Sequence, residues 1–114
     1  MYKDLIAWQK SYQFVLDIYK TTKTFPKEEL FGLVSQMRRA VASIPVNIAE
    51  GNMRQSEKEY KQFLYIARGS LAEMEVWIKL SYDLGYIQKE KFEFHVGQCV
   101  EIGRLINGLI KSLK

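Results

Sequence analysis

Apolar residues recur at intervals of three and four along nearly the whole chain, the spacing that aligns side chains on one face of an α-helix. Leu5, Trp8, Tyr12, Val15 and Tyr19 form the first such seam. Thr21, Thr22 and Thr24 weaken the helix after it, and Phe25-Pro26 breaks it. The second seam is Leu30, Val34, Met37, Val41, Ile44 and Ile48, with Glu28 and Glu29 placed in its first turn, where the helix dipole favours negative charge. Pro45 interrupts this segment. The seam continues past it, which predicts a kinked helix in preference to two separate ones. Gly51-Asn52 supplies a stop.

Ser56 and Glu59 have capping-box spacing and mark the third start. Its seam is Tyr60, Leu64, Ala67, Leu71, Met74, Ile78 and Ser81, closed by Leu84-Gly85-Tyr86. The fourth segment begins near Gln88 and carries Phe92, Val96, Cys99, Ile102, Ile106, Leu109 and Leu113. Gly97, Gly103 and Gly108 each lower its helix propensity by ~1 kcal/mol, so it should be the least stable helix alone. Short connections make sequential helices antiparallel neighbours. The prediction is an all-α, antiparallel, up-down-up-down four-helix bundle in one domain spanning residues 1–114.

Several helices are more apolar than a small bundle requires. Ile6, Phe14, Leu16 and Ile18 lie off the first seam, Phe63, Ile66 and Trp77 off the third, and Phe94, Leu105 and Ile110 off the fourth. A wide core with a few exposed aromatics accounts for part of this excess. A surface for self-association accounts for it more fully, and a homo-oligomer is expected.

Composition narrows the chemistry. Seventeen Lys and Arg against 13 Asp and Glu leave a net charge of +4 over 114 residues, which permits an anionic partner without requiring one. The single cysteine cannot close an internal disulfide. No signal peptide or membrane span is visible, so a cytoplasmic setting without membrane contact is expected. A di-iron bundle needs Glu-x-x-His motifs, yet the only histidine is His95, with Phe92 three residues before it. His95 and Cys99 lie one turn apart, but two ligands do not complete a zinc site. A core-edge histidine beside a buried thiol fits them better. There is no phosphate-cradling loop and no positioned base for a serine nucleophile. Neither an enzyme nor a cofactor is expected.

Two polar patterns stand out. On the second and third helices Arg39, Ser43, Asn47, Glu50, Ser70 and Glu73 fall close to buried-looking stretches. They read as an inter-helix network that fixes register, with a ligand pocket or plain solvent exposure as alternatives. Arg54, Lys58, Lys61, Tyr65 and Arg68 follow one another at steps of four and three, a basic stripe with an aromatic inside it. Lys and Arg neutralise phosphates and tyrosine can stack on an unpaired base, so the stripe is a candidate for nucleic acid. A solvated face with ion pairs, such as Glu57 with Lys61, is the competing reading.

Phe25-Pro26-Lys27-Glu28-Glu29-Leu30-Phe31-Gly32-Leu33 with Ser35-Gln36-Met37-Arg38-Arg39-Ala40 resembles the second-helix opening of the 23S rRNA intervening-sequence proteins. Ser43-Ile44-Pro45-Val46-Asn47-Ile48-Ala49-Glu50-Gly51 resembles that family's most distinctive run. Glu59-Tyr60, Phe63-Leu64, Ala67-Arg68-Gly69-Ser70-Leu71, Glu73 and the hairpin Leu84-Gly85-Tyr86-Ile87 are also similar. The resemblance implies a four-helix bundle that assembles as a ring, often a pentamer, in a family noticed as reading frames inside intervening sequences of large-subunit ribosomal RNA genes. It also implies a shared role for Arg39, Ser43, Asn47, Glu50 and Ser70. In fold and charge the chain is further similar to the accessory variability proteins of diversity-generating retroelements, which bind a reverse transcriptase and nucleic acid. The leading expectation is therefore a non-enzymatic protein that binds RNA or another nucleic acid. The alternative is an adaptor or scaffold for a partner protein such as a reverse transcriptase.

Overall fold

The computed structural model describes residues 1–113, in which four α-helices and two short 3-10 turns account for the regular structure. The helices are α1 (Ile6–Thr22), α2 (Leu33–Asn52), α3 (Glu57–Asp83) and α4 (Lys89–Ser112), and no strand occurs among the described residues. Each helix packs on the next, and α4 closes against α1, while the diagonal pairs stay apart. The result is an all-α bundle of about 43 × 25 × 20 Å.

The α2 and α3 seams form the centre. Val34, Met37, Val41, Ile44 and Ile48 of α2 meet Leu64, Ala67, Leu71, Met74 and Ile78 of α3, all buried. Gly51 marks a close approach: a Cβ there would sit 2.8 Å from the Phe63 Cβ and 2.9 Å from the Tyr60 Cδ1. Ser56 caps α3, its Oγ accepting the Glu59 N–H at 3.1 Å. At the other end Gly85 takes φ +80°, and the N–H groups of Tyr86 and Gly85 return to the carbonyls of Ser81 and Tyr82, a Schellman stop.

Three local expectations change. First, α2 begins later than a first turn at Glu28 and Glu29 requires. Lys27–Glu29 form a separate 3-10 turn, and α2 starts after Gly32, whose φ −114° and ψ −108° are not helical. Glu28 and Glu29 therefore lie outside the first turn of α2. Glu29 still serves it, one carboxylate oxygen accepting the Leu33 N–H at 3.3 Å and the other the Tyr86 hydroxyl at 2.8 Å. Leu30 and Phe31 are left exposed, Phe31 at 93%.

Second, α1 is turned by about one residue from its expected seam. Ala7, Ser11, Phe14 and Ile18 are buried, whereas Tyr12 and Tyr19 are exposed. Both sets satisfy helical spacing. The deciding factor is that α1 packs on α2 and α4 together, which selects the line between the two partners. Trp8 and Tyr12 stack on each other instead, with ring centroids 5.1 Å apart on the outer edge. Third, α4 turns inward on His95, Cys99, Ile102 and Ile106, leaving Val96 exposed.

Pro45 lies inside an unbroken α2, where its missing N–H leaves the Val41 carbonyl without its usual helical donor.

Candidate nucleic-acid interface

The basic stripe falls on the exposed side of α3 and on the turn before it. Arg54 belongs to that turn; its guanidinium lies 4.8 Å above the Phe63 ring and 4.0 Å from the Glu50 carboxylate. Lys58 is exposed and Lys61 half-buried. Tyr65 is exposed, and Arg68 lies over its ring at 5.0 Å while donating a hydrogen bond to Asn107 Oδ1 on α4 at 3.0 Å. Two arginines are thus laid on aromatic rings of the same surface, an arrangement that holds the guanidinium heads in place. A face of Tyr65 that would stack on an unpaired base is occupied by Arg68.

The polar residues predicted on α2 and α3 separate into two groups. Ser70 Oγ donates to Ser43 Oγ at 2.9 Å, and Asn47 Nδ2 donates to Ser43 Oγ at 2.9 Å and to the Ser43 carbonyl at 2.8 Å. These three residues link α2 to α3 beside Pro45. Arg39, Glu50 and Glu73 are exposed and make no hydrogen bond to that trio. Glu50 pairs with Arg54, and Arg39 borders a hollow beside Phe31.

A second polar cluster was not legible in the sequence. His95 is almost wholly buried between α4 and α1. Thr21 Oγ1 meets its Nε2 at 2.8 Å, and its Nδ1 meets Gln98 Oε1 at 2.8 Å. Gln98 Nε2 then donates to Asp17 Oδ2 at 2.7 Å, and Gln13 donates to Asp17 Oδ1 at 3.0 Å. With Gln98 oriented this way, the imidazole carries its proton on Nδ1 and accepts from Thr21, so both nitrogens are satisfied in the neutral ring. Burial holds the His95 pKa below the usual histidine value, and Lys91 adds to that. The hydrogen bond that the ring donates to Gln98 and the charge of Asp17 oppose it. Burial, with a smaller contribution from Glu75, pushes the neighbouring Cys99 thiol up to about 12, so it stays protonated and unreactive. The helical spacing of His95 and Cys99 placed them on one face. Their α1 partners have no signature in a single sequence.

An apolar trough runs along the outside of α1 and α2. One end is a hollow of about 290 Å³ lined by Trp8, Tyr12, Val15, Pro45 and Val46 among others. Ala42 joins it to a second, more polar hollow between Tyr19, Leu30 and Phe31 on one side and Ser35, Arg38 and Arg39 on the other. Among the described residues no cluster of three His, Cys, Asp or Glu could hold a metal ion, and no helix is long and apolar enough to cross a membrane.

The fold and this surface define a small all-α protein of four helices with a cationic face on α3. The chain belongs to the 23S rRNA-intervening sequence protein family, whose model matches residues 3–108. It is similar in structure to a Bacteroides thetaiotaomicron VPI-5482 protein of unknown function from the S23 ribosomal protein family. The two superpose with a TM-score of 0.87 at 29% identity, covering 97% of this chain and 99% of the other. No curated protein matches the chain.

Proposed function

We propose that the protein is a non-enzymatic, cytoplasmic RNA-binding protein that holds the phosphate backbone with Arg54, Lys58, Lys61 and Arg68. The observation that carries this reading is the exposed α3 stripe, in which two guanidiniums are fixed over aromatic rings at 4.8 and 5.0 Å. Membership in a family named for a ribosomal RNA intervening sequence supports RNA as the nucleic acid. The helices run up-down-up-down in this reading. Support comes from α3–α4 pairs whose numbers move in opposite directions: Arg68 with Asn107, and Tyr82 stacked on Phe92.

Self-association completes the reading. The α1–α2 trough offers exposed Tyr12, Tyr19, Phe31 and Val46, apolar side chains of the kind that mark protein contacts. A ring of copies, a pentamer by family resemblance, would repeat the stripe and raise avidity without new contacts. The same trough favours the second reading, an adaptor that docks a partner protein there. Steep salt dependence separates the first reading from the second.

The test is fluorescence anisotropy of the purified protein with a structured ribosomal RNA fragment and a scrambled RNA, at two salt concentrations. Sub-micromolar binding that weakens steeply with salt is expected. Absence of binding at low salt contradicts the RNA reading and turns attention to the trough.

A further inference from the structure

We infer that the nucleic-acid surface does not end on α3: Arg104 and Lys111 of α4 form a second cationic row beside the first, and the two rows together fit double-helical RNA. This inference rests on the RNA reading above and extends it to a ligand shape.

The link is Asn107. Its side chain accepts from Arg68 at 3.0 Å, so this part of the α4 surface borders the α3 stripe. Arg104 lies three residues before Asn107 and Lys111 four residues after it, so helical spacing places all three on one face. Both cations are exposed, and neither has an acidic partner among the described residues. Gly108 lies between them on that face, and a Cβ built there would meet nothing within 4 Å. A backbone can therefore approach closely at that point. Glu101, the nearest acid on α4, is paired with Lys10 of α1 at 3.8 Å.

Dimensions follow from helix geometry. Lys58 to Arg68 spans ~15 Å along α3 and Arg104 to Lys111 ~10 Å along α4, at 1.5 Å per residue. The two axes lie ~8–10 Å apart, the usual packing distance. A single strand needs one row of cations and open ring faces for its bases. Here there are two rows, and Phe63 and Tyr65 are each overlaid by an arginine. Two parallel rows, with an arginine already laid on one face of each ring, match the two phosphate strands that border a duplex groove. The patch occupies one end of the α3–α4 face. Glu73 and Glu75 lie between one and two turns beyond Arg68, and the other end, where Tyr82 stacks on Phe92, mixes Asp83, Glu90 and Glu93 with Lys79, Lys89 and Lys91.

The experiment compares the full-length wild type with R104Q/K111Q and with R54Q/K58Q/K61Q/R68Q. Each is titrated with an RNA duplex and with an unpaired RNA of the same length, across a salt series. Unchanged helical circular dichroism confirms that the surface variants remain folded. The wild type is expected to bind the duplex more tightly. R104Q/K111Q is expected to lose several-fold affinity for it, with the salt slope falling by about 1.8, the loss of two phosphate contacts. If R104Q/K111Q matches the wild type in affinity and slope while the α3 variant loses binding, the second row is overturned and the α3 reading survives. Tighter binding to the unpaired strand overturns the duplex assignment. A wild type that binds neither RNA overturns both readings.

Discussion

The α2–α3 and α1–α4 contacts of one small bundle are built on different principles. Between α2 and α3 the contact is mainly apolar and close: Gly51 allows the Phe63 and Tyr60 side chains to within a Cβ's reach, and the polar links are short ones, Ser43 with Asn47 and Ser70, Asn52 with Tyr60, and Ser81 with Met37. Between α1 and α4 it is a chain of longer polar groups, Gln13, Asp17, Gln98, His95 and Thr21, with Lys10 and Glu101 beside it. Apolar packing tolerates pH and loses stability with every displaced methylene. A buried polar chain tolerates little change in protonation, because each lost partner leaves a desolvated group behind. The first contact sets the fold; the second makes α4 the conditional element.

The largest effect is expected where the close contact is overfilled. Gly51→Leu should cost about 3 kcal/mol, since the Phe63 Cβ cannot move without its backbone. The paired change Gly108→Ala has the opposite sign: with open space around it, added helix propensity should stabilise by about 0.5–1 kcal/mol. Thermal unfolding of both variants checks the contrast. Equal signs would mean that the two helices do not differ as described.

The polar contact should respond next, and to pH. The folded-state pKa of His95 is depressed, so in the window between that value and the unfolded value of 6.5 the unfolded chain binds more protons. Stability is thus fully present above about 6.5 and falls as pH drops through the window, until both states are protonated. Hydrogen exchange at pH 7 and pH 5 should show faster opening in the first half of α4, with little change at the centre of α2 and α3. In His95→Gln this pH dependence should flatten. An equal response across all helices would remove the distinction.

The smallest effects separate the expected polar network into its parts. Ser70→Ala removes the donor to Ser43 and should cost about 1 kcal/mol. Glu50→Gln loses only an exposed pair with Arg54 and should stay within about 0.5 kcal/mol. Chemical denaturation of the two variants measures the difference.

Much of the fold was legible because helical periodicity, the Ser56 cap and the Gly85 stop are local signals. From Val34 onward the α2 seam, like the α3 seam, could be read residue by residue, since each helix has one dominant buried face; only Leu30, ahead of the helix, fell outside it. The α1 seam could not: Trp8-Tyr12-Val15-Tyr19 and Ala7-Ser11-Phe14-Ile18 have the same spacing, and only packing against two neighbours chooses between them. The same limit applied to His95, whose partners Thr21 and Asp17 lie more than seventy residues away in the chain. The α3 stripe was visible as a pattern. That Arg68 covers Tyr65 and reaches Asn107 depends on tertiary neighbours, which is why the expected stacking residue became part of an arginine platform instead.

The most direct test of the central claim is the salt dependence of binding to a structured ribosomal RNA fragment, measured for the wild type and for R54Q/K58Q/K61Q/R68Q. A steep slope is expected for the wild type and a markedly shallower one, with weaker affinity, for the variant. Identical slopes and affinities for the two proteins would place any RNA contact elsewhere and contradict the account.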